Sequence, residues 1–142
     1  MENEHVTVFF YGLFMDQSLL AQKGIIPSHA TSGYLEGYAL RIGTRATLVR
    51  DENSRAYGVA MTIRAGDLRA LYAEQSVADY VSESVSVVLP DGSVESALCY
   101  NLPVSKLSGA NVQYAKSLLT LAEKLGLPSD YLQQIRKQAS GV

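Results

Sequence analysis

The residues best suited to chemistry in this sequence are a carboxylate, Glu74, and a turn that begins at Gly12. Glu74 follows the partly apolar segment 71–73 and precedes the turn before a strand at Tyr80. A carboxylate held against apolar walls loses part of its preference for the charged form, so it can act as a general acid or base near neutral pH. The spacing also fits a surface glutamate at a frayed helix end, and the pattern alone leaves both interpretations open.

The turn at Gly12 joins a predicted strand to a predicted helix. Segment 6–11 is apolar and rich in β-branched and aromatic residues, which is typical of a central strand, and Asp16 is suited to cap the following helix. Backbone N–H groups at such a helix start lack partners within the helix, and the helix dipole adds positive potential. The turn can therefore hold an anionic group, although a single glycine also fits an ordinary corner.

The composition excludes several other kinds of site. Two histidines and one cysteine are too few for a Cys/His zinc site. The sequence has no phosphate-binding glycine loop of the P-loop or dinucleotide type, and no G-x-S-x-G elbow of a serine hydrolase. Neither His5 nor His29 lies in a recognisable catalytic setting. No metal and no cofactor is therefore expected, and a carboxylate or a tyrosine is left for proton chemistry.

The overall composition is that of a globular protein. The 142 residues, 47% hydrophobic and 18% charged, predict a single domain over residues 1–142. A net charge of −2 gives no reason to expect nucleic acid or a membrane surface as partner, and no apolar run could span a bilayer. The acidic, polar start at residues 1–4 does not resemble a secretory signal, and Cys99 has no disulfide partner, so we expect a cytoplasmic protein. The strand pattern around Cys99 predicts a buried thiol.

Glycines and turn signals divide the chain into short strands with helices inserted. The patterns predict strands at 6–11, 31–35, 38–42, 45–49, 56–63, 80–89 and 94–101, and a polar turn at 51–54. They predict helices at 16–22, 65–75, 111–125 and from 128 onward. This order indicates an α+β fold, a small mixed, mostly antiparallel β-barrel flanked by helices.

Several short segments occur in an order and spacing that together are specific. A strand runs into Tyr-Gly at 11–15, an Ala-Thr strand lies at 45–49, and Tyr-Gly-Val lies at 57–59. Segment 71–75 places a glutamate three residues after a leucine, and a Val-rich strand follows Tyr80. A helix begins near Tyr114, and Gly-Leu-Pro precedes another tyrosine at 126–131. Along nearly its whole length, the chain resembles the gamma-glutamylcyclotransferase-like family.

The resemblance implies a small barrel with a cavity at the Tyr-Gly turn. It also implies an enzyme that cyclises a gamma-glutamyl or related amide to 5-oxoproline and releases an amine or amino acid. The substrate's α-ammonium must lose a proton before it attacks its own γ-carbonyl, and the leaving amine must gain one. A single carboxylate can carry both protons, and an intramolecular attack needs neither a metal nor an enzyme nucleophile.

The site residues implied by the resemblance are carried over one by one. Glu74 would be the acid/base. Tyr11 and Tyr80 would line and orient the site. The backbone of the turn would hold the substrate carboxylate through Gly12, Leu13, Phe14 and Met15.

The sequence departs from the family's pattern at two places. Leu13 and Phe14 stand where the family has polar residues, which favours an altered substrate, and Gln75 stands where it has glycine. Arg45 fits either a contact with a substrate carboxylate or a structural ion pair.

Two other functions stay open. One is a non-catalytic member of the fold that binds a small anionic ligand at the Gly12 turn. The other is an interaction module that uses its tyrosine-rich surface. A small-molecule partner is expected for the enzyme and for the binding protein. The sequence predicts no oligomeric state. A buried Glu74 that faces a cavity together with Tyr11 would favour the enzyme, whereas a solvent-facing Glu74 would contradict it.

Overall fold

The computed structural model describes residues 4–75 and 77–139, so most of the polar start of the chain lies outside the described residues. Five strands form a closed barrel in the order β1-β3-β2-β4-β5. The strands are β1 His5–Phe10, β2 His29–Ile42, β3 Ala46–Arg64, β4 Val81–Val88 and β5 Val94–Asn101. The helices are α1 Gln17–Gln22, α2 Ala65–Tyr72, α3 Val112–Leu125 and α4 Ser129–Ala139, with short 3-10 turns at Leu13–Met15 and Val104–Lys106. The predicted barrel flanked by helices is confirmed.

The barrel is mixed because one of its strand pairs is parallel. β1 pairs with β5 in parallel at Val8 and Leu98, whereas β1–β3, β3–β2, β2–β4 and β4–β5 are antiparallel. The parallel pair brings β1 beside β5 and closes the sheet into a barrel.

Two predicted strand breaks are wrong, because the strands continue through them. β2 passes through Gly37, where φ is +81° and the pairing register shifts, so segments 31–35 and 38–42 are one strand. β3 likewise passes through 51–54, joining 45–49 to 56–63. The predicted turn chemistry exists locally, since the Asp51 carboxylate accepts hydrogen bonds from the Asn53 N–H (3.1 Å) and the Ser54 hydroxyl (2.9 Å). Residues 51–54 bulge out of the pairing between β3 and β2, and they do not end β3.

α2 ends three residues earlier than the predicted limit at residue 75. Ala73 caps it, and the chain then makes tight turns in which Val77 N–H donates to the Glu74 carbonyl (3.0 Å) and Tyr80 N–H donates to the Val77 carbonyl (3.1 Å). Glu74 therefore lies in the connection to β4, at the end of the barrel where β1 also ends.

The core lies inside the barrel and under α3 and α4. Val8, Met61 and Cys99 of the barrel strands are fully buried, and so are Leu118 of α3 and Ile135 of α4. The expected burial of the Cys99 thiol is confirmed, and burial raises its pKa to about 12. Within the described ranges, no helix has the length and apolar character needed to cross a membrane.

Candidate active site

An open cavity of about 570 Å³ lies at the end of the barrel where β1 enters the glycine turn. Its wall combines the end of β1, the 3-10 turn, α1, the loop between β2 and β3, the connection after α2 and the start of α3. Six of the seven residues expected at the site line this cavity, namely Tyr11, Gly12, Leu13, Phe14, Glu74 and Tyr80. Segments far apart in the chain therefore meet at one place.

Met15 is the expected site residue that does not line the cavity. Its side chain is buried in the core at 2% exposure. Its backbone N–H donates to the carbonyl of Gly12 at 3.0 Å and closes the 3-10 turn. That donor is thus committed within the turn and is not offered to a ligand.

Glu74 faces the cavity beside a lysine. The ammonium of Lys23, the residue that follows α1, lies 2.9 Å from Oε1 and 3.0 Å from Oε2 of Glu74. The Lys23 side chain is 30% exposed and that of Glu74 is 40% exposed, so the pair lies at the solvent-facing rim of the cavity. The carboxylate is therefore not enclosed by apolar walls. The sequence offered no signal for this pair, since the two residues are 51 positions apart.

The glycine turn is packed against Tyr114 of α3. A Cβ atom added at Gly12 would lie 2.5 Å from the Tyr114 hydroxyl oxygen. Burial raises the pKa of Tyr114 to about 12, and the nearby backbone of Leu13 partly opposes this shift. The turn can approach α3 this closely because Gly12 leaves room for the Tyr114 hydroxyl.

Tyr11 and Tyr80 line the cavity, but their hydroxyl groups bind backbone carbonyls. The Tyr11 hydroxyl donates to the carbonyl of Tyr100 at 2.7 Å, and the Tyr80 hydroxyl donates to the carbonyl of Ala46. Burial raises the pKa of Tyr11 well above its ordinary value. Burial also raises the pKa of Tyr80, opposed by the nearby Arg45 guanidinium. The Tyr11 hydroxyl thus links the end of β1 to β5, and the Tyr80 hydroxyl links the segment before β4 to the start of β3.

Aromatic rings build one wall of the cavity. The ring of Tyr72 stacks on that of Tyr100 with centroids 3.8 Å apart and an interplanar angle of 6°. Phe14 meets Tyr72 edge-on at 6.0 Å and Phe10 edge-on at 5.8 Å. Phe14 is therefore locked in this wall. Tyr72 falls within the helix predicted at 65–75, and its position two residues before Glu74 is the signal that could have indicated its place at the site.

Three of the described residues that line the cavity carry charge, and each is paired. Lys23 and Glu74 pair with each other, while Nη2 of Arg45 lies 3.2 Å from Oδ2 of Asp79. The Arg45 guanidinium also lies over the ring of Tyr80, 5.8 Å from its centroid. Arg45 thus forms the ion pair that was one of its two expected roles. In residues 4–75 and 77–139, no three His, Cys, Asp or Glu side chains cluster as metal ligands would.

Fold and cavity together define a small mixed β-barrel protein with a carboxylate-bearing pocket at a strand-to-helix glycine turn. The chain belongs to the family described as gamma-glutamyl cyclotransferase, AIG2-like, whose model matches residues 8–117. The matched range contains the glycine turn, Glu74 and Tyr80. The family resemblance inferred from the sequence is confirmed.

Solved structures share the fold at low sequence identity. A gamma-glutamyl cyclotransferase superposes with a TM-score of 0.76 at 19% identity, covering 94% of this chain and 87% of that one. YkqA from Bacillus subtilis gives 0.80 at 21% identity, covering 98% of this chain and 55% of that one. A yeast gamma-glutamyl cyclotransferase specific to glutathione superposes with a TM-score of 0.69 at 15% identity, covering 98% of this chain and 97% of that one. No curated protein matches the sequence.

Proposed function

We propose that the protein is a cyclotransferase that converts a gamma-glutamyl or related amide to 5-oxoproline and releases an amine or amino acid. The observation that carries the proposal is that Glu74 faces the same cavity as the Gly12 turn. In the proposed reaction the substrate's α-nitrogen forms a bond to its own γ-carbonyl carbon, and the bond from that carbon to the leaving nitrogen breaks. Glu74 takes a proton from the α-ammonium, which frees the amine to attack. The attacking nitrogen loses its second proton as the ring closes, one proton is delivered through Glu74 to the leaving nitrogen, and the other passes to solvent.

The dimensions of the cavity support this reaction. Its volume of about 570 Å³ lies within the range of about 300–1,000 Å³ that is usual for small-molecule sites. Ring closure within one bound substrate requires the protein to fix a reactive conformation and to move protons, and one carboxylate can do the second task. A Glu74 at the rim can also exchange protons with solvent. A cytoplasmic place of action, expected from the single cysteine, is part of the same proposal.

The test is 5-oxoproline release from a panel of gamma-glutamyl dipeptides and gamma-glutamylamines. Glu74→Gln keeps the size of the side chain but cannot carry the proton, so we expect kcat/KM to fall by about 10²–10⁴-fold. Glu123→Gln is the matched control, because Glu123 is an exposed glutamate on α3 that is paired with Arg136 at 3.3 Å. We expect the control to retain activity. Equal release by wild type and Glu74→Gln would rule out the proposed role of Glu74.

A non-catalytic binding protein is the second candidate function. It is favoured by the engagement of both Glu74 oxygens with Lys23. This candidate predicts no 5-oxoproline release from any member of the panel. It also predicts that a small carboxylate ligand such as 5-oxoproline raises the melting temperature of the wild-type protein.

A further inference from the structure

Lys23 and Glu74 place two opposite charges side by side at the cavity rim. Lys23 Nζ contacts both oxygens of Glu74, at 2.9 Å and 3.0 Å. A gamma-glutamyl substrate also carries two opposite charges on neighbouring groups, because its α-ammonium and α-carboxylate are attached to the same carbon. The protein pair and the substrate pair are therefore complementary in charge and similar in separation.

The proposed proton transfer brings these two pairs together. The α-ammonium has to reach a Glu74 oxygen, and Lys23 contacts both oxygens. Each carboxylate oxygen has a second lone pair, so the ammonium binds Glu74 beside Lys23 or in its place at one oxygen. In either arrangement Lys23 is next to the α-carboxylate of the same substrate carbon. Every charge then keeps a partner, which avoids the cost of leaving a partly desolvated charge unpaired.

Lys23 adds a charged partner for the α-carboxylate to a turn that has fewer backbone donors than expected. Of the four turn residues expected to hold the carboxylate, Met15 has its N–H committed to the carbonyl of Gly12. The side chains of Leu13 and Phe14 offer no hydrogen-bond donor. Arg45 pairs with Asp79 at 3.2 Å.

We propose that Lys23 binds the α-carboxylate of the substrate and thereby positions its α-ammonium against Glu74. The site then selects molecules with a free α-amino acid head. This inference rests on the proposed function for the identity of the substrate, but charge pairing at Lys23 does not require turnover. It can therefore be tested separately from the chemistry.

The kinetic test compares two substrates that differ only in the α-carboxylate. These are L-glutamic acid γ-anilide and 4-aminobutyranilide, and cyclisation of either one releases aniline. In Lys23→Met we expect the preference for the first substrate, as a ratio of kcat/KM values, to fall by roughly fivefold to tenfold, mainly through KM. Any effect of the substitution on Glu74 itself acts on both substrates and cancels in the ratio. Lys116→Met is the matched control, since Lys116 is an exposed lysine of α3 that does not line the cavity.

An unchanged ratio in Lys23→Met would overturn the inference. So would a ratio that falls in Arg45→Met and not in Lys23→Met, because the carboxylate would then be bound by Arg45.

A binding test makes the same comparison without turnover. L-Norleucine and pentylamine share an ammonium group and an apolar tail, and only norleucine has the carboxylate. By chemical-shift titration we expect wild type and Lys116→Met to prefer norleucine and Lys23→Met to lose that preference. A wild type without the preference, or a Lys23→Met that keeps it, contradicts the inference. If the preference follows Lys23 while no anilide is cleaved, the proposed reaction fails and the binding role of Lys23 stands.

Discussion

The hydroxyl group of Tyr114 fills the space in which a side chain at Gly12 would begin. Only 2.5 Å would separate that oxygen from a Cβ atom at position 12. The φ and ψ angles of Gly12, −110° and −151°, are open to other residues. The glycine is thus required here by the position of a helix side chain, and not by its own backbone conformation.

The first prediction concerns this contact. Gly12→Ala should lower the free energy of unfolding by about 1–3 kcal/mol, because the added methyl group overpacks the turn and pushes Tyr114 away from Leu13. In a Tyr114→Phe background the hydroxyl is absent and the next ring atom, Cζ, lies 3.9 Å from the added Cβ. The same substitution should then be nearly neutral, since alanine also restricts the unfolded chain.

Urea unfolding of the four proteins in this double-mutant cycle measures the coupling. The two single variants serve as controls for each other. An equal loss of stability from Gly12→Ala in both backgrounds would show that the hydroxyl contact is not what requires the glycine.

The second prediction separates Tyr11 from Tyr80. Tyr11 is 7% exposed, and Tyr11→Phe leaves the Tyr100 carbonyl without its donor inside the barrel, so we expect a loss of about 1–3 kcal/mol in unfolding free energy. Tyr80→Phe removes a bond to Ala46 nearer the rim, and the expected loss is about 0.5–1.5 kcal/mol. Because both hydroxyl groups bind backbone carbonyls, kcat should change little in either variant. Urea unfolding and steady-state kinetics provide the two measurements.

A Tyr80→Phe protein of normal stability that had lost its activity would contradict this prediction. It would indicate that the Tyr80 hydroxyl acts on the substrate and not on the loop between β2 and β3.

The third prediction is a loss of stability at high pH. Burial raises the pKa of Tyr114 from 10.0 to about 12, and raises that of Tyr72 further. Between pH 10 and pH 12 the unfolded chain loses tyrosine protons that the folded chain keeps. The unfolded state therefore binds fewer protons, and the unfolding free energy falls as pH rises. Each such tyrosine contributes a slope of about 1.4 kcal/mol per pH unit between pH 10 and 12.

Urea unfolding at pH 8, 9, 10 and 11 measures this dependence. Tyr114→Phe removes one of the titrating groups, so its stability should fall less steeply than that of wild type above pH 10. Parallel profiles for the two proteins would contradict the assignment of Tyr114 as a contributor.

The features that could be predicted from the sequence are those with local causes. The helix start at Asp16 was correct because its carboxylate accepts a hydrogen bond from the Ser18 N–H at 2.9 Å, two residues away. The break between the strands predicted at 80–89 and 94–101 was correct for a similar reason, since the Asp91 carboxylate accepts a hydrogen bond from the Ser93 N–H at 2.9 Å. Such contacts depend on neighbouring residues alone.

The features that were missed depend on long-range packing. The contact between Lys23 and Glu74 joins α1 to the connection after α2, and no property of either residue indicates the other. The strand that continues through residues 51–54 is held by pairing with β2 on both sides of the bulge, which overrides the local turn chemistry. The local pattern at Glu74 fitted both a catalytic and a surface carboxylate, and the family resemblance favoured the catalytic one.

The closure of the barrel between β1 and β5 determines when the cavity can exist. The hydrogen bond from Tyr11 to Tyr100 spans 89 residues, and the cavity wall also includes Tyr114 from α3. During synthesis, the wall is incomplete until most of the chain has been made. Closing so long a loop is entropically costly and is expected to be slow. A ligand of this cavity therefore binds only chains that have finished closing the barrel, and it stabilises the whole fold against reopening.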